Sequence, residues 1–404
     1  MAPWLVPLDS YLCGQDPITE KDYSYRKKWI VDRLEQLASI YLINILAHNV
    51  LDNHLHVVVL TLPDEVEKLS DRDVAIRWLS LHPGRELDEF VSVHPTDAQI
   101  DALLGDPEQL GKVRARLSSP SSFMKDLCEP ISKRANKEDG RSGHFWEGRF
   151  QGKRLLDMLA ILVCVAYVDL NQLRAGIAKS LRESNYSSIQ ARILASQKQM
   201  APSLALSKIS ISNEEAAMRI KKVPRAEIRR RIEAARVIAE RKMVLKDAWL
   251  AQLTIDPNES VNPKDSHLNK SGIRASDKGF LEVTLEQYIK ILHEALLFRP
   301  GRASVESPSP EFKQVATSLG SSAENISWMI QDFQNIFRNG YLVGSPDTLR
   351  KETERNERKR TLHSMKCKLF YSENSIEYDE QTKKYRKARP ESKTIKTKEQ
   401  RTAS

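Results

Sequence analysis

A chain of 404 residues that is 40% hydrophobic is long enough for about two or three domains with real cores. Its net charge of +9 and sequence pI near 9.2 point toward an anionic partner. Cys13, Cys128, Cys164 and Cys367 follow no pairing or metal-ligand spacing, which argues against a disulfide framework and a thiolate metal site.

No basic-then-apolar signal segment follows Met1. The longest apolar stretch, Leu155 to Ala166, is interrupted by Asp157 and is too short to span a bilayer. A soluble, cytoplasmic protein without a membrane partner is expected.

Asp16-Pro17 followed by Thr19 reads as a helix start, and Ile30, Leu34, Leu37 and Ala38 form an apolar stripe at helical spacing. Two β-branched or aliphatic runs follow, Tyr41 to Val50 and His56 to Leu62. Leu51-Asp52-Asn53 between them suggests a tight hairpin. Residues 64–140 read as mostly helical, broken at His82-Pro83-Gly84 and at Ser118-Ser119-Pro120. Asp139 to Gly143 is a turn, Phe145 to Phe150 is the next candidate strand, and Leu155 to Leu170 is a helix with Cys164 in its buried face. Gly176 ends the segment that follows. This order of elements fits an α+β layer architecture, a small antiparallel sheet with helices on one face.

Beyond residue 200 the character changes. Ser203 to Asn213 is Ser-rich and linker-like, and Pro224 opens a charged helix from Arg225 to Leu250. Leu285 to Phe298, with Thr284 as N-cap, and Phe312 to Phe337 read as further helices. The chain thus divides into 1–200, a helical region 201–346, and a basic tail 347–404 expected to lack order. From Arg350 to Ser404 there are 17 Lys+Arg against 9 Asp+Glu, a surplus that suits either solvent or nucleic acid.

Two segments carry chemistry. In Asn53-His54-Leu55-His56-Val57 strand alternation places His54 and His56 on one face, where two imidazoles can share a divalent cation or simply face solvent. In Ala166-Tyr167-Val168-Asp169-Leu170-Asn171 helical spacing puts Tyr167 and Asn171 one turn apart. Tyr167 is either a buried aromatic or a nucleophile whose target phosphate is polarised by a metal, with Asn171 as a third ligand. Trp146, with Phe145 beside it, and Arg149, Lys153 and Arg154 combine base stacking with phosphate pairing, and Arg134 and Arg141 add charge just upstream. Core packing is the other use of Trp146.

The ordered set of a His-hydrophobic-His strand, Gly143-His144-Phe145-Trp146-Glu147-Gly148-Arg149-Phe150, and Tyr167-x-x-x-Asn171 running into Leu173-Arg174-Ala175-Gly176 resembles the HUH single-tyrosine transposases, closest to the REP-associated tyrosine transposases. The resemblance covers roughly Ser10 to Ile193 and extends to Trp328–Pro346, which ends in Val343-Gly344-Ser345-Pro346. It implies a ferredoxin-like or RRM-like antiparallel sheet, with His54, His56 and Asn171 holding Mg²⁺ or Mn²⁺. It also implies that Tyr167 is the nucleophile that leaves a 5′-phosphotyrosine on single-stranded, hairpin or repeat-containing DNA.

The chain departs from the family at Gln172, where relatives usually have Pro, and at Asp52. A third departure is Trp4 to Ser10, which contains Pro7 and none of the usual arginines. A regulatory DNA-binding protein derived from such a transposase is the alternative. Whether the protein is a monomer or a homodimer is open.

Overall fold

The computed structural model describes residues 13–16, 20–82, 93–143, 145–146, 148, 150–203, 209–210, 243–256, 267–298, 307–337, 342–355, 369–372, 376–379 and 384–387. The architecture is mixed α+β and mainly helical, and among the described residues every sheet is two-stranded. No helix among them is long and apolar enough to cross a membrane.

Helix α1 (Arg26–Ile40) starts later than Asp16 suggests. Gln15 and Asp22 instead bridge as an antiparallel pair, and the Tyr23 N–H donates to the Gly14 carbonyl at 2.9 Å, so this stretch closes on itself before the helix begins. From α1 the chain enters the hairpin β1 (Ile43–Val50) and β2 (Leu55–Thr61), joined by residues 51–54 and paired antiparallel. A β-bulge between Ile45 and Ala47 shifts the register, and Asn49 faces His56 across the ladder.

The hairpin is covered on both faces rather than on one. Ile43, Ile45, Val50 and Leu55 join a core with α1, whereas Leu46, Ala47 and Val58 join a second core. All eight residues of β1 are buried, the polar Asn44, His48 and Asn49 included, which is why the strand shows no alternation of apolar and polar residues.

The helical stretch after β2 comprises α2 (Pro63–Glu67), α3 (Asp71–Leu81), α4 (Asp97–Leu104), α5 (Pro107–Arg116) and α6 (Pro120–Glu138). A two-residue strand β3 (Val93–His94) precedes α4. Residues Ser70, Thr96, Asp106 and Ser119 cap α3 to α6 with side-chain oxygens, as such residues do at helix starts. The strand expected at Phe145–Phe150 does not form among the described residues. Phe145, Trp146 and Phe150 pack instead against the α1–α6 core, and the Trp146 indole donates to the Cys128 carbonyl at 3.1 Å.

Strand β4 (Arg154–Leu155) leads into α7 (Met158–Asp169), which runs on through Leu170 into α8 (Asn171–Arg174). Gly176, at φ 70°, takes the left-handed turn that ends α8. Helix α9 (Ser188–Ser196), β5 (Met200–Pro202), β6 (Ile209–Ser210) and β7 (Met243–Leu245) follow. Residues 225–242 of the expected charged helix lie outside the described residues. Its expected C-terminal part is not helical, because Met243–Leu245 pairs with β5 and the chain then turns.

The last helices are α10 (Leu285–Leu297), α11 (Pro310–Ser318), α12 (Ala323–Gln331), α13 (Phe333–Ile336) and, after β8 (Leu342–Val343), α14 (Pro346–Arg355). Thr284 caps α10 with a full capping box. The expected tail therefore contains order: α14, the fully buried Phe370, and a pair of strands, β9 (Ile376–Asp379) with β10 (Lys384–Lys387). Leu349 and Phe370 join the core that holds α7, so α7 is packed from both sides of residue 200.

Asp157 fastens that junction. As the N-cap of α7 it accepts from the Ala160 N–H at 2.9 Å, from the Ser345 N–H at 2.6 Å, from the Thr348 hydroxyl at 3.1 Å and from the Tyr371 hydroxyl at 3.0 Å. Gly344 allows this close approach, since a Cβ there would stand 2.9 Å from the Leu156 Cβ. Losing the cap and leaving the Ser345 N–H unpaired should lower stability of Asp157→Ala by about 2–4 kcal/mol. Urea unfolding of the full chain checks this, and a change below about 0.5 kcal/mol would mean that the junction does not depend on Asp157.

Candidate active site

The α7 face of the hairpin carries His56. Its parity matches Val58, which packs on α7, while Leu55 points into the opposite core, so alternation places the imidazole against the helix that holds Tyr167. The His54 and His56 rings stand 4.8 Å apart, and the His56 and Tyr167 rings 5.8 Å apart, edge to face. The Asn171 amide nitrogen lies 3.1 Å from His56 Nε2. Segments more than a hundred residues apart in sequence therefore bring His54, His56, Tyr167 and Asn171 together.

The apposition is held by Asn49 and Gln172, which lie outside the His-x-His and Tyr-x-x-x-Asn motifs. Asn49, opposite His56 in the ladder, donates to the Val168 carbonyl at 2.8 Å and accepts from the Gln172 amide at 2.8 Å. Gln172 also donates to the Asn185 carbonyl at 2.7 Å. A proline at 172 could make neither contact, so the departure at this position adds a tie between α8 and β1. Asn49 had one sequence signal, a polar residue inside an apolar strand. Asp52 pairs with Lys27, whose ammonium lies 2.6 Å from its carboxylate, yet its charge still reaches His54 and opposes the effect of burial there.

Two residues after Tyr167, the buried Asp169 faces other partners. It accepts from Ser188 Oγ at 2.6 Å, from the Ile189 N–H at 3.1 Å and from the Tyr288 hydroxyl at 2.7 Å. Burial raises its pKa, and these hydrogen bonds pull the other way. The network staples α7 to α9 and α10, which fixes the rotation of the helix that presents Tyr167.

The histidines suit a metal ion chemically. Burial lowers the pKa of both, and that of His56 falls to about 3, so both are neutral at physiological pH, the form that binds cations. His54 Nδ1 lies 2.7 Å from Asn53 Oδ1. With the proton assigned to Nδ1, His54 donates to that oxygen and leaves its Nε2 lone pair open, the usual outer-sphere support of a ligating imidazole. Turning the Asn171 amide over would point its oxygen toward His56 Nε2. Among the described residues no group of three or more His, Cys, Asp or Glu is placed to hold a metal. A cation bound here would take His54, His56 and Asn171 from the protein and its anionic oxygens from a substrate. Imidazole suits transition-metal ions, whereas Mg²⁺ and Mn²⁺ prefer oxygen donors, so a hard ion here would draw most of its shell from Asn171, substrate and water.

Tyr167 is only 4% exposed. Its ring stacks on Phe333 of α13 at 5.2 Å and 28°, and the Arg174 guanidinium carbon stands 4.8 Å from its centroid. Burial pushes the phenol pKa up, with the Arg174 charge pulling it down. A neutral phenol is therefore the resting form.

The residues expected to grip DNA are spread over two places. Arg134 is exposed and covers the Trp29 ring at 3.8 Å, Arg141 is exposed beyond the end of α6, and Trp146 is partly buried against the core of α1 and α6. Lys153 donates to the Phe337 carbonyl, and Arg154 pairs with Glu352 at 2.5 Å, so both hold the C-terminal helices. Arg149, His144 and the stretch around Pro7 lie outside the described residues. Comparison with family models, with curated proteins and with solved structures gives no match.

Protonation gives a test of the buried histidines. His48 and His56 both have pKa values depressed to about 3 by burial, from 6.5. Between those values the unfolded chain binds protons that the folded one refuses, so stability rises with pH and is lost as pH falls from 6.5 toward 3. In chelator-treated protein, unfolding free energy should drop by roughly 2 kcal/mol per histidine between pH 7 and pH 5. His56→Gln should have the shallower slope; a slope equal to wild type would mean that His56 is charged in the folded protein.

Proposed function

We propose that this protein is a metal-dependent single-stranded DNA nuclease and strand transferase of the HUH single-tyrosine kind, closest to the REP-associated tyrosine transposases. The convergence of His54, His56 and Asn171 on Tyr167 carries the proposal. The net charge of +9 suits a nucleic-acid partner, and hairpin or repeat DNA is the substrate class that the resemblance suggests.

The Tyr167 hydroxyl oxygen forms a bond to the scissile phosphorus, and the bond from phosphorus to the 3′ oxygen breaks. The phenol proton ends on the released 3′ hydroxyl, and the cleaved strand stays linked through a 5′-phosphotyrosine. One diester replaces another, so rejoining needs no external energy source. Asn49 and Gln172 hold α7 and α8 against the hairpin and so set the distance between nucleophile and histidines. Mg²⁺ or Mn²⁺ held by His54, His56 and Asn171 would supply Lewis-acid polarisation of the phosphate.

One observation favours the alternative, a DNA-binding regulator derived from such an enzyme: Tyr167 is buried beneath Phe333. Incubation with hairpin-bearing single-stranded DNA and Mg²⁺ or Mn²⁺, followed by a denaturing gel, separates the two. A covalent adduct is expected from wild type and none from Tyr167→Phe, with little from His56→Ala. DNA binding without any adduct would select the regulator, and an adduct from Tyr167→Phe would overturn the assignment of the nucleophile.

A further inference from the structure

The Leu173-Arg174-Ala175-Gly176 motif places a side chain beside Tyr167 that the reaction outlined above leaves unused. Arg174 lies seven residues, about two helical turns, after Tyr167, so the continuous run of α7 and α8 brings the two to one face. Its guanidinium carbon is 4.8 Å from the Tyr167 ring centroid. The arginine is exposed, whereas the tyrosine is buried. A phosphodiester that reaches the phenol from this side meets the guanidinium.

Among the described residues no carboxylate compensates the charge of Arg174. Arg26 pairs with Glu138 and Asp139, Arg154 with Glu352, and Arg274 with Asp277. Arg174 has no carboxylate partner among the described residues; its Nη2 donates to the neutral Gln331 carbonyl of α12. That bond orients the guanidinium plane without neutralising it. An exposed cation over an aromatic ring contributes only about 0.5–1 kcal/mol, and Arg174 also hydrogen-bonds the Tyr167 side chain, which brings the guanidinium to the phenol oxygen. Planar guanidinium groups match phosphate oxygens in a bidentate manner, and the reaction needs positive charge beside the attacking oxygen.

Resting on the reading of Tyr167 as the nucleophile, we propose that Arg174 is a catalytic residue that binds the non-bridging oxygens of the scissile phosphate and then those of the phosphotyrosine. As the tyrosine oxygen bonds to phosphorus and the 3′ oxygen departs, negative charge builds on the non-bridging oxygens. Arg174 stabilises that charge and exchanges no proton. The Gln331 carbonyl keeps the guanidinium in place through both states, which makes α12 the support of this cation.

The test measures single-turnover formation of the Tyr167 adduct by the full chain on two hairpin substrates. One carries a normal scissile phosphate, and the other a methylphosphonate there, in which a methyl group replaces one charged oxygen. Arg174→Met keeps the packing over Tyr167 but not the charge, and should slow adduct formation on the phosphate by about 10²-fold or more. Arg174→Lys should recover part of the rate. On the methylphosphonate, which is neutral and can gather charge on only one non-bridging oxygen, the loss from Arg174→Met should be much smaller than on the phosphate.

Equal losses on both substrates would make the role one of packing and overturn the proposal. So would an unchanged rate on the phosphate. If Arg174→Met does not fold, Arg174→Gln replaces it with the same readout. Absence of any wild-type adduct on either substrate is a different failure, because it sinks the nucleophile assignment itself.

Discussion

The apposition of α7 and the β1–β2 hairpin is the constraint from which the rest of the candidate site follows. Asn49 is its centre: buried in β1 opposite His56, it bonds to the Val168 carbonyl and to Gln172. Buried polar groups that satisfy one another in this way specify a single register, since a shift of either element would leave an amide unpaired in the core. With that register set, strand alternation puts His56 against the helix and helical spacing puts Asn171 beside it. Asp169, held by Ser188 and Tyr288, prevents α7 from rotating about its axis.

The helices beyond residue 280 complete this arrangement. They bury the far side of α7, stack Phe333 on Tyr167 and anchor Arg174 through Gln331. Asp157 and Gly344 let β8 and α14 approach the start of α7 closely enough to share its N-cap. The surroundings of Tyr167 are therefore built from both halves of the chain, and Lys153 and Arg154 hold those halves together through Phe337 and Glu352.

Much of the local structure is legible in the residues themselves. Thr284 marks the start of α10, the apolar stripe of α1 matches its buried face, and the two runs around Asp52 form the hairpin. Those signals arise from interactions within about one turn of a helix or one strand pairing, so they need no knowledge of the fold. The failures share a cause. Phe145 to Phe150 has strand-forming residues, but its aromatics gain more by packing on α6, with the Trp146 indole bonded to Cys128. The helix through Leu250 fails because Met243–Leu245 finds a strand partner in β5.

The sequence by itself determined the face that His56 takes in β2, with His54 in the turn just before it, and the one-turn spacing of Tyr167 and Asn171. Those follow from the fixed periods of strand and helix. Only the tertiary structure decided that the two faces meet, that Gln172 makes a tie where a turn-former would make none, that Phe333 covers Tyr167, and that Arg154 pairs with Glu352 while Arg174 bonds the neutral Gln331 carbonyl. Each of these joins residues distant along the chain, and contacts of that kind depend on how buried polar groups and apolar volume are reconciled across the whole core.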